Sequence, residues 1–109
     1  MKIETIDYKG MKVITLSGEI DMYSSPILRK QLIFLINKRV TPLLVDLKEV
    51  SYIDSSGIAT FVEGLKCMKS YGGRLKLIGL LKGVKEIFSF SKLDQVFQIY
   101  GNIDDAVNG

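Results

Sequence analysis

Two serines flanked by an aspartate and a glycine, Asp54-Ser55-Ser56-Gly57, are the residues of this chain best placed to do chemistry. They stand between a strand-like stretch ending at Ile53 and a helical pattern running from about Ser56 to Tyr71. Short polar residues at such a junction have a structural explanation. Their side-chain oxygens accept hydrogen bonds from the free N–H groups of the first helical turn, and glycine permits close backbone approach. The same place also suits a covalent phosphate, because the free N–H groups and the helix dipole favour a dianion. Phosphorylation there would add about −1.5 to −2 charges without unfolding the domain. At about 100° per residue, Ile58, Phe61, Val62, Leu65 and Met68 gather on one side of the helix. Ser56 projects roughly opposite them, together with Thr60, Glu63 and Cys67, while Ser55 falls nearer the buried edge. Ser56 is therefore expected to be the serine that another protein reaches.

Other chemistries lack their residues. The chain has no histidine, which removes Ser-His and Cys-His nucleophile pairs and the commonest general acid/base. A nucleophile elbow needs Gly-x-Ser-x-Gly, and a phosphate loop needs Gly-x-x-x-x-Gly-Lys followed by Ser or Thr; neither occurs. The single cysteine, Cys67, forms no internal disulfide, and without histidine it belongs to no usual zinc set. The expectation is a binding protein that is not an enzyme and carries no cofactor or metal. The net charge of +3 comes from bases spread along the chain, whereas nucleic-acid binding wants clustered bases with interleaved aromatics. No apolar run is long enough to span a bilayer, and Met1-Lys2-Ile3-Glu4 opens no secretion signal. No nucleic-acid partner and no membrane insertion are expected, and the cytoplasm is the expected compartment.

The elements that must hold the serines can be read from periodicity. A length of 109 residues suits one domain, 1–109. Residues 3 to 18 read as two strands joined by a Lys9-Gly10 turn and ended by Ser17-Gly18. Ser25 reads as an N-cap and Pro26 as the first helical residue, with Leu28, Leu32, Leu35 and Ile36 at helical spacing. Lys38 and Arg39 are expected in the last turn, before Thr41-Pro42. Leu43 to Leu47 reads as a buried central strand. Gly72-Gly73 closes the second helix. Leu75 to Ile78, Leu81 to Phe90 and Val96 to Tyr100 read as strand, helix and strand, with Val84, Ile87 and Phe88 on one face of that helix, and Asn102 caps a last turn with Ile103, Ala106 and Val107. The fold class is α/β, with a small mixed sheet.

In this order and at these intervals, Gly18-Glu19-Ile20-Asp21, Leu44-Val45-Asp46-Leu47, Tyr52-Ile53-Asp54-Ser55-Ser56-Gly57-Ile58 and Gly72-Gly73 resemble the STAS domain. More narrowly, the chain resembles the stand-alone bacterial anti-sigma-factor antagonists. The resemblance implies helices packed mainly on one side of the sheet. It implies a partner that is an anti-sigma factor with serine kinase activity, which the unmodified chain binds, freeing the sigma factor. Phosphorylation of the second serine of the motif, Ser56, would end that binding, and a phosphoserine phosphatase would reset the switch. Asp21 would lie in a loop beside the phosphorylation site and touch the partner. Asp54 would orient the loop or cap the helix. Ser55, Gly57, Ile58 and Thr60 would lie on or near the contact surface, with Ile58 also belonging to the apolar stripe. The alternative is a STAS subunit of a membrane lipid-transport or stress-signalling complex, acting as a constitutive docking module.

Overall fold

A computed structural model describes all residues, 1–109. Strand β1 (Lys2–Tyr8) turns at Lys9 and Gly10 into β2 (Met11–Ile20). Both turn residues have positive φ, 50° and 81°, the signature of a type I′ hairpin, whose twist matches that of the flanking strands. Helix α1 (Ser25–Asn37) leads to β3 (Leu43–Ile53), α2 (Ser55–Lys69) to β4 (Leu75–Ile78), and α3 (Lys82–Phe90) with a 3-10 turn at Leu93–Gln95 to β5 (Gln98–Tyr100). A short α4 (Ile103–Asn108) ends the chain. The sheet order is β1-β2-β3-β4-β5, antiparallel at the first pair and parallel at the other three.

Each parallel strand is added on the same side of its predecessor, so right-handed crossovers bring α1, α2 and α3 to one face. There Leu28 and Leu32 of α1, Phe61 and Met68 of α2, and Val84 and Phe88 of α3 pack with the sheet into one core. Burying each such side chain contributes about 1.5–3 kcal/mol. The other face carries α4 alone, over Val13, Leu44 and Ile78. There Lys76, only 3% exposed, donates from Nζ to the carbonyl oxygens of Ala106 and Gly109, satisfying the end of α4. The expected small mixed sheet with helices mainly on one side is what the structure has. No helix is long and apolar enough to cross a membrane.

Several boundaries differ from the sequence reading. Ser17-Gly18 does not end β2, which absorbs two register shifts and continues to Ile20 with Gly18 at φ 96°. The residue before α1 is Ser24 rather than Ser25, which is buried. Lys38 and Arg39 lie past the last helical residue, Asn37, with Arg39 in the left-handed region. Strand β5 starts at Gln98, because residues from Leu93 coil into the 3-10 turn. The Asn102 cap is as expected: its Oδ1 accepts from the Asp105 N–H at 2.9 Å.

Candidate functional site

Strands β2 and β3 run side by side to their ends, with Ile20 opposite Ile53. The Asp54 N–H donates to the Ile20 carbonyl at 3.1 Å, so Asp21 and Asp54 leave adjacent strand ends together. The carboxyl ends of parallel strands are where α/β sheets place binding groups. Each aspartate then organises the start of a helix. Asp21 Oδ1 accepts from the N–H groups of Tyr23 (2.9 Å) and Ser24 (3.0 Å). The Ser24 hydroxyl closes that turn, accepting from the Asp21 N–H and donating to the Glu19 carbonyl, both at 2.9 Å. Asp54 Oδ1 caps α2, accepting from the N–H groups of Ser56 (2.9 Å) and Gly57 (3.2 Å). It also accepts from the Ser56 hydroxyl at 2.5 Å.

Gly57 allows this close seating. A Cβ there would stand 2.7 Å from Ile20 Cγ2 and 2.7 Å from Ile53 Cγ1, two side chains fully inside the core. Helix α2 is therefore pressed against the ends of both strands, and its first turn is held by one carboxylate.

The two serines have the reverse of their expected exposure. Ser55 is exposed and stands outside the cap, whereas Ser56 is half-buried with its hydroxyl committed to Asp54. Two causes combine. A residue in a capped first turn does not follow the helical wheel, and α2 buries two faces rather than one. Its second buried face meets α1, where Gly64 approaches Leu32 Cδ1 and Ile36 Cδ1 and Arg29 forms a two-pronged ion pair with Glu63 at 2.7 and 2.8 Å. Thr60 is buried, as is Gly57 against Ile20 and Ile53, so neither lies on the outer surface expected of them. The Thr60 hydroxyl donates inward to the Ser56 carbonyl at 2.9 Å. Cys67 is half-buried and packs against the core rather than facing outward.

What surrounds Ser55 is apolar. An open groove of about 540 Å³ runs from Tyr52, Asp54 and Ser55 past Ile58, Ala59 and Val62 to Ile87 of α3 and Ser91 just past its end. Ile58, expected both in the apolar stripe and near the surface, is half-buried and lines this groove. On the Asp21 side, Met22 and Tyr23 are exposed. Periodicity leaves Tyr52 undecided, sets Ile87 on the apolar face of α3, and passes over Met22 and Tyr23. The available signal is a pair of large apolar residues directly after the Asp21 turn.

The carboxylates stay ionised. The Ser56 hydroxyl, followed by the backbone N–H groups of Gly57, Ser56 and Met22, lowers the Asp54 pKa. The Ser24 N–H leads the same effect at Asp21, against burial and the charge of neighbouring Asp54, which act the other way. Glu63 is held low by Arg29, and Asp104 by Lys9 and Tyr8. A carboxylate with a lowered folded pKa stabilises the fold above its unfolded value, about 3.9 for Asp, and that contribution is lost as pH falls through the folded value. The thermal midpoint is therefore expected to be flat from about pH 5 to 8 in this respect and to fall below about pH 4. The joint variant Asp21→Asn/Asp54→Asn keeps side-chain acceptors without the charge and should show a shallower acid decline in thermal melts recorded against pH. An identical acid slope would show that these caps do not carry it.

The arrangement sets the exposed Ser55 hydroxyl beside an apolar groove at the carboxyl ends of β2 and β3. A STAS domain profile matches residues 2–106. The "Anti-sigma-B factor antagonist" of Bacillus subtilis is 36% identical over 94 residues, covering 86% of this chain and 85% of that protein. An anti-sigma factor antagonist from Mycobacterium paratuberculosis superposes with a TM-score of 0.89 at 23% identity, over 98% of this chain and 91% of that one. The Bacillus cell fate determinant SpoIIAA in its phosphorylated form gives 0.77 at 21% identity, over 98% and 97%. The profile match across nearly the whole sequence and the identity to the Bacillus subtilis protein together establish that this chain belongs to the STAS domain family.

Proposed function

We propose that this chain is an anti-sigma-factor antagonist whose unmodified form docks on an anti-sigma factor with serine kinase activity and thereby frees a sigma factor. The regulated group is a serine of the Asp54-Ser55-Ser56-Gly57 motif, and Ser55 rather than Ser56 is the acceptor. The observation that carries this reading is the exposed Ser55 side chain lining the apolar groove next to Asp54. The similarity to proteins named as anti-sigma-B factor antagonists supports the partner class. A SpoIIAA structure in a phosphorylated form supports modification as the control.

The switch follows from charge. In the unmodified state Tyr52, Ile58 and the groove wall present an apolar surface that a partner can cover. The N–H groups of Ser56 and Gly57 are already taken by Asp54, so a phosphate on Ser55 meets the Asp54 carboxylate instead of those first-turn donors. It stays at the surface as a dianion that any docking partner would have to desolvate, a cost of several kcal/mol for an unpaired ion. A phosphoserine phosphatase returns the neutral surface. The fold is untouched throughout, and the message is carried by the surface alone.

The direct test is displacement. Titrating the unmodified chain into a preformed complex of its host's sigma factor and serine-kinase anti-sigma factor should release the sigma factor at near-stoichiometric amounts, followed by size-exclusion chromatography. A complex that survives a large excess of the chain would end this reading.

A further inference from the structure

Helix α1 is apolar on two sides. Leu28, Leu32, Leu35 and Ile36 fill the core, yet Ile27 and Phe34 on the opposite side are 52% and 51% exposed. With Tyr23, 82% exposed in the preceding turn, and the exposed Lys30 and Lys38, they form one outward stripe at positions 23, 27, 30, 34 and 38. Lys38 Nζ sits 4.3 Å from the centre of the Phe34 ring. No acidic residue occurs between Met22 and Val45, a span that carries Arg29, Lys30, Lys38 and Arg39. Of the acidic groups near this helix, Glu63 is paired with Arg29, while Glu19 and Asp21 lie only at its N-terminal end, beside Tyr23 and Ile27 and away from Lys30 and Lys38.

We propose that this outward stripe of α1 docks on an anionic lipid surface, with Ile27 and Phe34 entering the headgroup boundary and Lys30 and Lys38 held at phosphate level. Apolar residues flanked by lysine on one helix face are the pattern of interfacial helices. Lysine's long stem lets its charge rise to the headgroups while the neighbouring ring goes deeper. A second copy of the chain suits the stripe poorly, because a self-complementary contact would set Lys30 and Lys38 against basic residues. Tyr23 borders the Asp21 turn as well, but Ile27, Lys30, Phe34 and Lys38 lie away from the serines of α2, so this docking is tested separately from that function.

The test is cosedimentation of the intact chain with vesicles. Vesicles of equal phosphatidylglycerol and phosphatidylcholine should bind it at least tenfold better than phosphatidylcholine alone, and high salt should abolish the difference. Lys30→Glu/Lys38→Glu should weaken binding by well over tenfold, since each basic residue contributes about fivefold at an anionic surface. Ile27→Ser/Phe34→Ser should also lose it. Lys85→Glu/Lys92→Glu, an equal charge change on exposed positions of α3 and beyond, should leave it largely unchanged. Circular dichroism would confirm that each variant is folded. Equal binding to both vesicle types overturns the proposal, as do an equal loss in both lysine pairs and stripe variants that sediment like the native chain. Stripe variants that keep vesicle binding but lose capture of the anti-sigma factor would assign the stripe to a protein partner instead.

Discussion

Gly57→Ala is expected to destabilise the domain by about 1–3 kcal/mol, the usual cost of forcing a methyl group into a packed site. The two atoms it would meet at 2.7 Å belong to Ile20 and Ile53. Both are β-branched, both are fully inside the core, and neither can swing aside. The first turn of α2 would have to lift, stretching the Asp54 cap and parting the β2 and β3 ends on which Asp21 and Asp54 sit. The gain in helix propensity from replacing glycine, about 1 kcal/mol, offsets only part of this. Gly64→Ala on the same helix supplies the contrast. Its Cβ would find Leu32 Cδ1 at 3.5 Å, an ordinary contact, so the propensity gain should raise stability by up to about 1 kcal/mol. Thermal melts should separate the two variants in opposite directions, by about 4–8 °C for each kcal/mol. A Gly57→Ala protein as stable as the native one would mean that α2 is seated more loosely on Ile20 and Ile53 than these distances imply.

The second large effect concerns the two serines. Ser55→Asp should leave the melting temperature close to native and weaken binding to the anti-sigma factor by at least about tenfold, since it adds charge at an exposed position beside the groove. Ser56→Asp should do something different. It removes the hydroxyl that donates to Asp54 and sets a second carboxylate against the first, so it should destabilise the fold whether or not a partner is present. Binding titrations combined with melts distinguish the cases. If Ser56→Asp were fully stable and unable to bind while Ser55→Asp bound normally, the roles of the two serines would be interchanged.

The sequence is most informative where periodicity and punctuation agree. The Lys9-Gly10 turn, the buried run Leu43–Leu47, the Asn102 cap and the apolar stripes of α1 and α3 all reflect local chemistry, and all stand in the structure. The motif Asp54-Ser55-Ser56-Gly57 is legible as a cap and as a modification site because both depend on residue type and position in the chain. The misreadings on α2 share a cause that adds to its capped first turn. A helical wheel assumes a helix with one buried face, and α2 has two, one on the sheet and one on α1. The wheel therefore sets Thr60 and Cys67 outside and gives Ser56 the exposure that belongs to Ser55. The groove is hidden for a similar reason, since Tyr52, Ile58 and Ile87 come from three elements whose meeting depends on crossover geometry. Continuation of β2 past Gly18 rests on pairing with β3 and leaves no local mark.

Whether Ser55 carries the switch is decided most directly by site mapping. The chain would be incubated with its host's serine-kinase anti-sigma factor and ATP, weighed intact, and fragmented to locate the added mass. A single phosphate on Ser55, absent from Ser55→Ala and retained in Ser56→Ala, is the predicted result. A phosphate on Ser56 of the native chain, or incorporation that survives Ser55→Ala unchanged, would contradict it.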